Sequence, residues 1–176
     1  MIGQAAILCG GRGIRSGAIT ANTPKPLLPV GETPFLEVLV FELAHHGIKK
    51  ILLLAGFQAH NYRICDINTS EITIWFGDRR VGRIATGRHR RALWRARDKL
   101  EEIFFLLNGD CWFDVNLLAL AGPVAEDPST AGIIALRRVD DTARFEVVEL
   151  SGRRVVGFAE RPAQRGSGLI SGGSMC

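Results

Sequence analysis

The stretch Ala6-Ile7-Leu8-Cys9-Gly10-Gly11-Arg12-Gly13-Ile14-Arg15, followed by Thr23-Pro24-Lys25-Pro26-Leu27-Leu28-Pro29-Val30, constrains this chain more than any other. An apolar run ends in three glycines within four positions, and a loop then delivers a lysine fixed between prolines. Glycine reaches positive φ and lets backbone N–H groups come close to a guest. Successive N–H groups in such a turn make a concave anion site. Arg15 and Lys25 add two side-chain cations, so the pattern calls for a polyphosphate.

Two familiar glycine-loop designs do not fit. A P-loop requires a lysine directly after its last glycine, and none stands there. A dinucleotide fold requires a helix that starts at the glycines and an acid after the second strand. Pro24, Pro26 and Pro29 make the following region a loop instead, and the second strand ends at Ala55-Gly56 without an acid.

Along the rest of the chain, apolar runs alternate with helical patterns. Gln4–Cys9 reads as a buried strand. A helix is expected from Pro34 to Gly47, with proline at its start and glycine just past its end. Strands follow at Lys49–Leu54, Glu71–Phe76 and Ile103–Leu107, with a helix from about Ala92 to Glu102. Nearly continuous apolar strands belong to parallel sheets covered on both faces, so the fold class is α/β, doubly wound. After Asn108-Gly109-Asp110 the pattern changes. Asp114 is expected to cap a short helix, and strands are expected at Ala131–Val139, Phe145–Leu150 and Arg153–Ala159, with Ser151-Gly152 as a hairpin turn. The ending at Gly172-Gly173-Ser174-Met175-Cys176, where another strand begins, leads us to expect a domain incomplete at its C-terminus.

Length and composition set the remaining bounds. At 176 residues, 47% of them hydrophobic and 23% charged, the chain is expected to form one globular domain over residues 1–176 and not a disordered segment. It would divide where the pattern changes, into residues 1–110 and residues 111–176. No apolar run is long enough to span a membrane. Cys9, Cys65, Cys111 and Cys176 form no CxxC pair, so neither zinc nor a disulfide framework is expected and a cytoplasmic location fits. The net charge of +4 is local: without the six arginines at 79, 80, 83, 88, 90 and 91, the 22 basic residues become 16 against 18 acids, a net −2. With no aromatic pattern beside that cluster, nucleic-acid binding is not expected.

Several landmarks together carry a family resemblance. Leu8-Cys9-Gly10-Gly11-x-Gly13-x-Arg15 and Thr23-Pro24-Lys25-Pro26-Leu27-Leu28-Pro29-Val30 resemble the signature of the sugar-phosphate nucleotidyltransferases. The resemblance continues at Leu107-Asn108-Gly109-Asp110, Phe158-Ala159-Glu160-Arg161-Pro162 and Gly168-Leu169-Ile170-Ser171-Gly172-Gly173. In detail it looks most like the heptose 1-phosphate or mannose 1-phosphate guanylyltransferases. The resemblance implies a Rossmann-like doubly wound mixed sheet of the nucleotide-diphospho-sugar transferase type. It implies transfer of a nucleotidyl group from a nucleoside triphosphate, GTP before the others, to a sugar 1-phosphate, with Mg²⁺ as cofactor and homo-oligomers among the possible assemblies. Leu8, Gly10, Gly11 and Gly13 would bind the nucleotide, Arg15 and Lys25 would be catalytic, and Asp110 would hold the metal. Glu160 would hydrogen-bond sugar hydroxyls, Arg161 would meet the sugar phosphate and Gly173 would bind substrate. Residues 1–110 would then be a nucleotide-binding half and 111–176 a partial sugar-binding half.

The sequence departs from that pattern at functional positions. Ile14 and Ser16 replace a usual Thr and Leu, Glu146 a common glycine near the sugar, Arg161 a lysine, and Ser171 a frequent Asn. The family's second metal-binding Asp lies beyond the last residue. Gly87-Arg88-His89-Arg90-Arg91 stands where the family has a G-T-A-G-A loop. Encoded as GGC CGG CAC CGC CGG, these residues would read Ala-Gly-Thr-Ala-Gly one base later, which Ala92-Leu93 continue. A compensated frameshift upstream of Ala92 is one expectation, and a real basic surface loop is the other. The alternative to an active enzyme is a truncated or degenerate homologue that binds nucleotide or a partner subunit without turnover.

Overall fold

The apolar run before the glycines folds as strand β1, Gln4–Cys9, the best-buried strand of the first of two units, Met1–Cys111 and Trp112–Met175. The computed structural model describes residues 2–10, 20, 22–56, 59–62, 71–76, 88–127, 129–160 and 166–175. In the first unit, β1 is followed by a 3-10 turn at Lys25–Leu27 and a small ribbon of β2 (Pro29–Val30) and β3 (Thr33–Pro34). Helix α1 (Phe35–His45), strands β4 (Lys50–Ala55) and β5 (Glu71–Phe76), helix α2 (Arg88–Ala96) and strand β6 (Phe105–Asn108) complete it.

Its sheet runs β5-β4-β1-β6, and every pairing is parallel. Parallel strands need both faces covered, which accounts for the continuous apolar runs. On one face Ala6, Leu52 and Leu54 pack with Ala96, and Leu8, Leu106 and the α2 residues Ala92 and Leu93 close around them. The alternate residues Ala5, Ile7, Ile51, Leu53 and Phe105 are buried too, as the period of two requires. Helix α1 buries Leu36, Leu39, Val40 and Leu43, one stripe at helical spacing. It stops where Gly47 takes φ +80°, a conformation open to glycine at little cost.

Helix α2 differs from expectation. It spans Arg88–Ala96 and gives way to a 3-10 turn at Arg97–Lys99, not to a helix running from Ala92 to Glu102. The cause is Gln4. Its buried side-chain amide donates to the Lys99 carbonyl (2.9 Å) and accepts the Glu101 N–H (2.7 Å). Those are backbone groups a continuing helix would need for itself.

The second unit holds helix α3 (Leu117–Glu126) and strands β7 (Ile134–Val139), β8 (Glu146–Ser151), β9 (Arg154–Glu160) and β10 (Gly168–Met175). Asn116, not Asp114, caps α3: its Oδ1 accepts the N–H groups of Leu118 and Ala119. The strands are antiparallel in the order β7-β10-β8-β9. The last strand of the sequence therefore lies inside this sheet, paired on both sides. The β8–β9 hairpin turns at Gly152, φ +61°, as its Ser-Gly pair suggests.

Candidate functional site

The order β5-β4-β1-β6 reverses direction between β1 and β6. From β1 the chain moves outward to β4 and β5, then returns to the other side of β1 as β6. In open parallel sheets a ligand binds beyond the carboxyl ends of the strands at such a switch point. The residues directly beyond these ends are Gly10 after β1, Gly56 after β4, and Gly109 and Asp110 after β6. Two of these glycines are required by space. A Cβ on Gly56 would stand 2.9 Å from Gly10 Cα, and one on Gly109 would meet Cys9 Sγ at 2.9 Å and the Leu8 carbonyl at 3.2 Å. The Gly109 N–H also donates to that carbonyl (3.0 Å), and the buried Tyr62 hydroxyl donates to the Cys9 carbonyl (2.8 Å). The strand ends are thus locked close together while the Leu8 side chain points into the α2 core.

Lys25 arrives at the same place from the proline loop. Pro24 and Pro26 are buried on either side of it, and the Leu27 N–H closes a turn onto the Pro24 carbonyl (2.8 Å). With its origin fixed, Lys25 extends Nζ to Asp110 Oδ2 at 2.9 Å; the two side chains keep 41% and 39% of their exposure. Burial alone would push the Asp110 carboxyl up. The hydrogen bond and charge of Lys25 outweigh it, with help from Cys111, and hold the carboxyl below its ordinary value. Cys111 is pushed up to about 11, first by burial and then by the Asp110 charge, and its Sγ lies 3.4 Å from Asp110 Oδ1.

Asp110 is thereby an ionised, hard oxygen ligand open to solvent. Among the described residues no three His, Cys, Asp or Glu side chains cluster as a closed metal cage. One carboxylate with the remaining positions left to phosphate oxygens and water suits Mg²⁺, which keeps much of its hydration. The donor set fits that ion.

The second unit carries part of the expected substrate set. Glu160 is the last residue of β9 and stands opposite Glu146, the first of β8. Gly173 has φ +81°, and its N–H donates to Ser171 Oγ (3.2 Å), so a side chain there would strain the backbone. Gly11, Gly13, Arg15 and Arg161 lie outside the described residues, as do Ile14, Ser16 and Gly87. Lys25 and Asp110 are therefore the expected site side chains that the described structure brings together. Sequence reasoning missed Tyr62, Gly56 and Cys111. Gly56, directly after a buried strand, was the one with a visible signal.

Similarity to known proteins agrees with this geometry. The pattern of the family described as "Nucleotidyl transferase" matches residues 4–175. A bifunctional protein GlmU of Methanococcus vannielii is 30% identical over 160 residues, covering 90% of this chain and 35% of that protein. The chain thus spans about a third of the length of that relative. A D-glycero-alpha-D-manno-heptose 1-phosphate guanylyltransferase of Campylobacter jejuni is 29% identical over 177 residues, covering 97% of this chain and 73% of that protein. The crystal structure of HddC from Yersinia pseudotuberculosis complexed with GMP-PN has the same fold, with TM-score 0.77 and 22% identity over 99% of this chain and 76% of that one. Among the described residues, no helix is long and apolar enough to cross a membrane.

Proposed function

We propose, because this chain belongs to the nucleotidyl transferase family, that it transfers a nucleotidyl group from a nucleoside triphosphate to a sugar 1-phosphate, releasing pyrophosphate. The observation that carries this reading is the pairing of Lys25 with Asp110 at the switch point of the parallel sheet. A cation suited to phosphate and a carboxylate suited to a metal stand together just beyond glycines that leave the strand ends bare.

In the proposed reaction an oxygen of the sugar phosphate attacks the α-phosphorus and a new P–O bond forms. The bond from that phosphorus to the bridging oxygen breaks, and pyrophosphate leaves with the electron pair. Such a transfer depends chiefly on positioning and on offsetting phosphate charge. Gly10, Gly11 and Gly13 would present backbone N–H groups to the nucleotide, and Leu8 would hold the strand end from which they start. Lys25 would neutralise charge in the transition state, and Arg15 would stabilise the leaving pyrophosphate. Asp110 would hold Mg²⁺, which when bound supplies a divalent charge against the phosphates. On residues 111–176, Glu160 would bind sugar hydroxyls, Arg161 the sugar phosphate, and Gly173 the substrate through its backbone.

GTP comes first among the nucleotides because the Campylobacter relative is named a guanylyltransferase and the Yersinia structure holds GMP-PN. The unpaired thiols of Cys9 and Cys111 support a reducing, cytoplasmic setting. Residues 1–110 and 111–176 would act as the two halves of one domain, with self-association open to it.

Pyrophosphate release tests the reading. GTP, ATP, CTP, UTP and dTTP are each offered with a panel of sugar 1-phosphates and Mg²⁺. We expect release with at least one pair, and a loss of about a hundredfold or more in Lys25→Ala. If wild type and Lys25→Ala are equally silent across the panel, the chain is a degenerate homologue. The departure at residues 87–91 favours that second reading.

A further inference from the structure

The pair that marks the site also conflicts with its proposed use. Lys25 Nζ sits on Asp110 Oδ2 at 2.9 Å, yet the proposed function assigns the ammonium to a phosphate and the carboxylate to a metal. Among the described residues, Lys25 is the only cation ion-paired with Asp110; the second oxygen lies 3.4 Å from the weak thiol donor of Cys111. Each partner therefore meets its proposed ligand with part of its charge already offset by the other.

We infer that Lys25 is a stand-in cation. It holds the metal carboxylate neutralised until metal and triphosphate arrive together, so that the two ligands bind cooperatively through exchange of this one ion pair. This rests on the assignment of Asp110 to the metal.

The build of the pair suits an exchange. The backbone of Lys25 is fixed by buried prolines, while the ammonium at the end of its four-carbon stem is a point charge with three donors that can swing between acceptors. The carboxylate is fixed by the end of β6. A metal ion arriving alone meets a charge of its own sign, 2.9 Å from Asp110 Oδ2. A triphosphate arriving alone must draw Lys25 away from a full negative charge and leave that charge beside its own phosphates. Arriving together, the two break one ion pair and satisfy both of its ends. The obstacle is small. Both side chains are partly exposed, and ion pairs of this kind shift an equilibrium by no more than about fivefold. The removal of a nearby positive charge adds to that figure, so the expected effect on metal binding is roughly three- to tenfold. By linkage, whatever the metal does for triphosphate affinity the triphosphate does equally for metal affinity.

The experiment measures Mn²⁺ binding by electron paramagnetic resonance in the absence of nucleotide. Wild type, Lys25→Gln, Lys25→Arg and Asp110→Asn are compared as full chains, each with its thermal transition recorded to establish folding. Lys25→Gln is expected to bind Mn²⁺ roughly three- to tenfold more tightly than wild type. Lys25→Arg, which keeps the charge, should remain near wild type, and Asp110→Asn should lose the site. If Lys25→Gln binds no more tightly than wild type while Asp110→Asn still weakens binding, the stand-in is wrong and the metal assignment stands. If Asp110→Asn leaves Mn²⁺ binding unchanged, the assignment of Asp110 falls and the inference falls with it.

Discussion

Lys25 and Asp110 lie 85 positions apart in sequence and meet because a proline-bounded turn fixes one and a strand end fixes the other. Their ion pair makes stability depend on pH in a stated direction. The Asp110 carboxyl is held below its ordinary value by Lys25, against the upward push of burial. A group with a depressed folded value contributes stability that is complete above its unfolded value, near 3.9, and is lost as pH falls through the folded one. Because both partners are partly exposed, the contribution is under about 1 kcal/mol. Urea midpoints of wild type and Lys25→Met, taken with chelator present, should therefore differ by a small constant amount from pH 7 down to about 5. The gap should then close as the solution is acidified below about pH 4. A gap that stays constant on acidification would mean that another group holds Asp110 down.

At the scale of elements, long-range polar contacts decide where helices and strands stop. Gln4 ties the start of β1 to the approach to β6 through two hydrogen bonds to backbone, and it is buried. Close by, Lys50 pairs with Glu101 at 2.7 Å, but both remain exposed. The ion pair is as short as the shorter of those hydrogen bonds, yet it is the weaker contact. Gln4→Ala leaves the Lys99 carbonyl and Glu101 N–H without their partner and should cost about 2 kcal/mol or more, whereas Lys50→Ala should cost under about 1 kcal/mol. Denaturant titration of the two variants checks the order, and a larger loss in Lys50→Ala would reverse this ranking of the two contacts. The same contrast separates what was legible in the sequence from what was not. Strands β1, β4 and β5 and helix α1 were readable because their apolar periodicity is local. The early end of α2 was not, since the side chain that stops it is 97 residues away from Glu101. Asn116 outcompeted Asp114 as a cap through which carbonyl oxygen reaches the first free N–H groups, and composition does not report that. Of the site, residue types and order were legible at Gly10, Lys25 and Asp110. The contact between the last two, and the lock that Tyr62 and Gly56 place on the strand ends, depend on the path of the folded chain.

For the molecule as a whole, a ligand that binds the folded chain and not the unfolded one must raise its stability by mass action, whether or not turnover follows. At a hundred times its dissociation constant the gain is about 2.7 kcal/mol, or roughly 5–10 °C for a chain of this size. The net charge of +4 complicates the measurement, because polyphosphates would gather loosely around an arginine cluster at low salt. At about 0.15 M salt the Debye length is near 8 Å, and loose attraction between exposed charges is largely screened. The tryptophans allow the shift to be placed. Trp75 and Trp94 belong to the unit Met1–Cys111 and Trp112 to the other, so fluorescence of Trp112→Phe reports on the first unit alone. We expect the transition seen by Trp75 and Trp94 to rise by roughly 5–10 °C with saturating GTP and Mg²⁺. Asp110→Asn should retain only the part of the rise that GTP gives without Mg²⁺, because the carboxylate that would hold the metal is gone. A transition that moves with none of the triphosphates would show that the glycine ends and Lys25 no longer hold a nucleotide, in an active enzyme or a silent one.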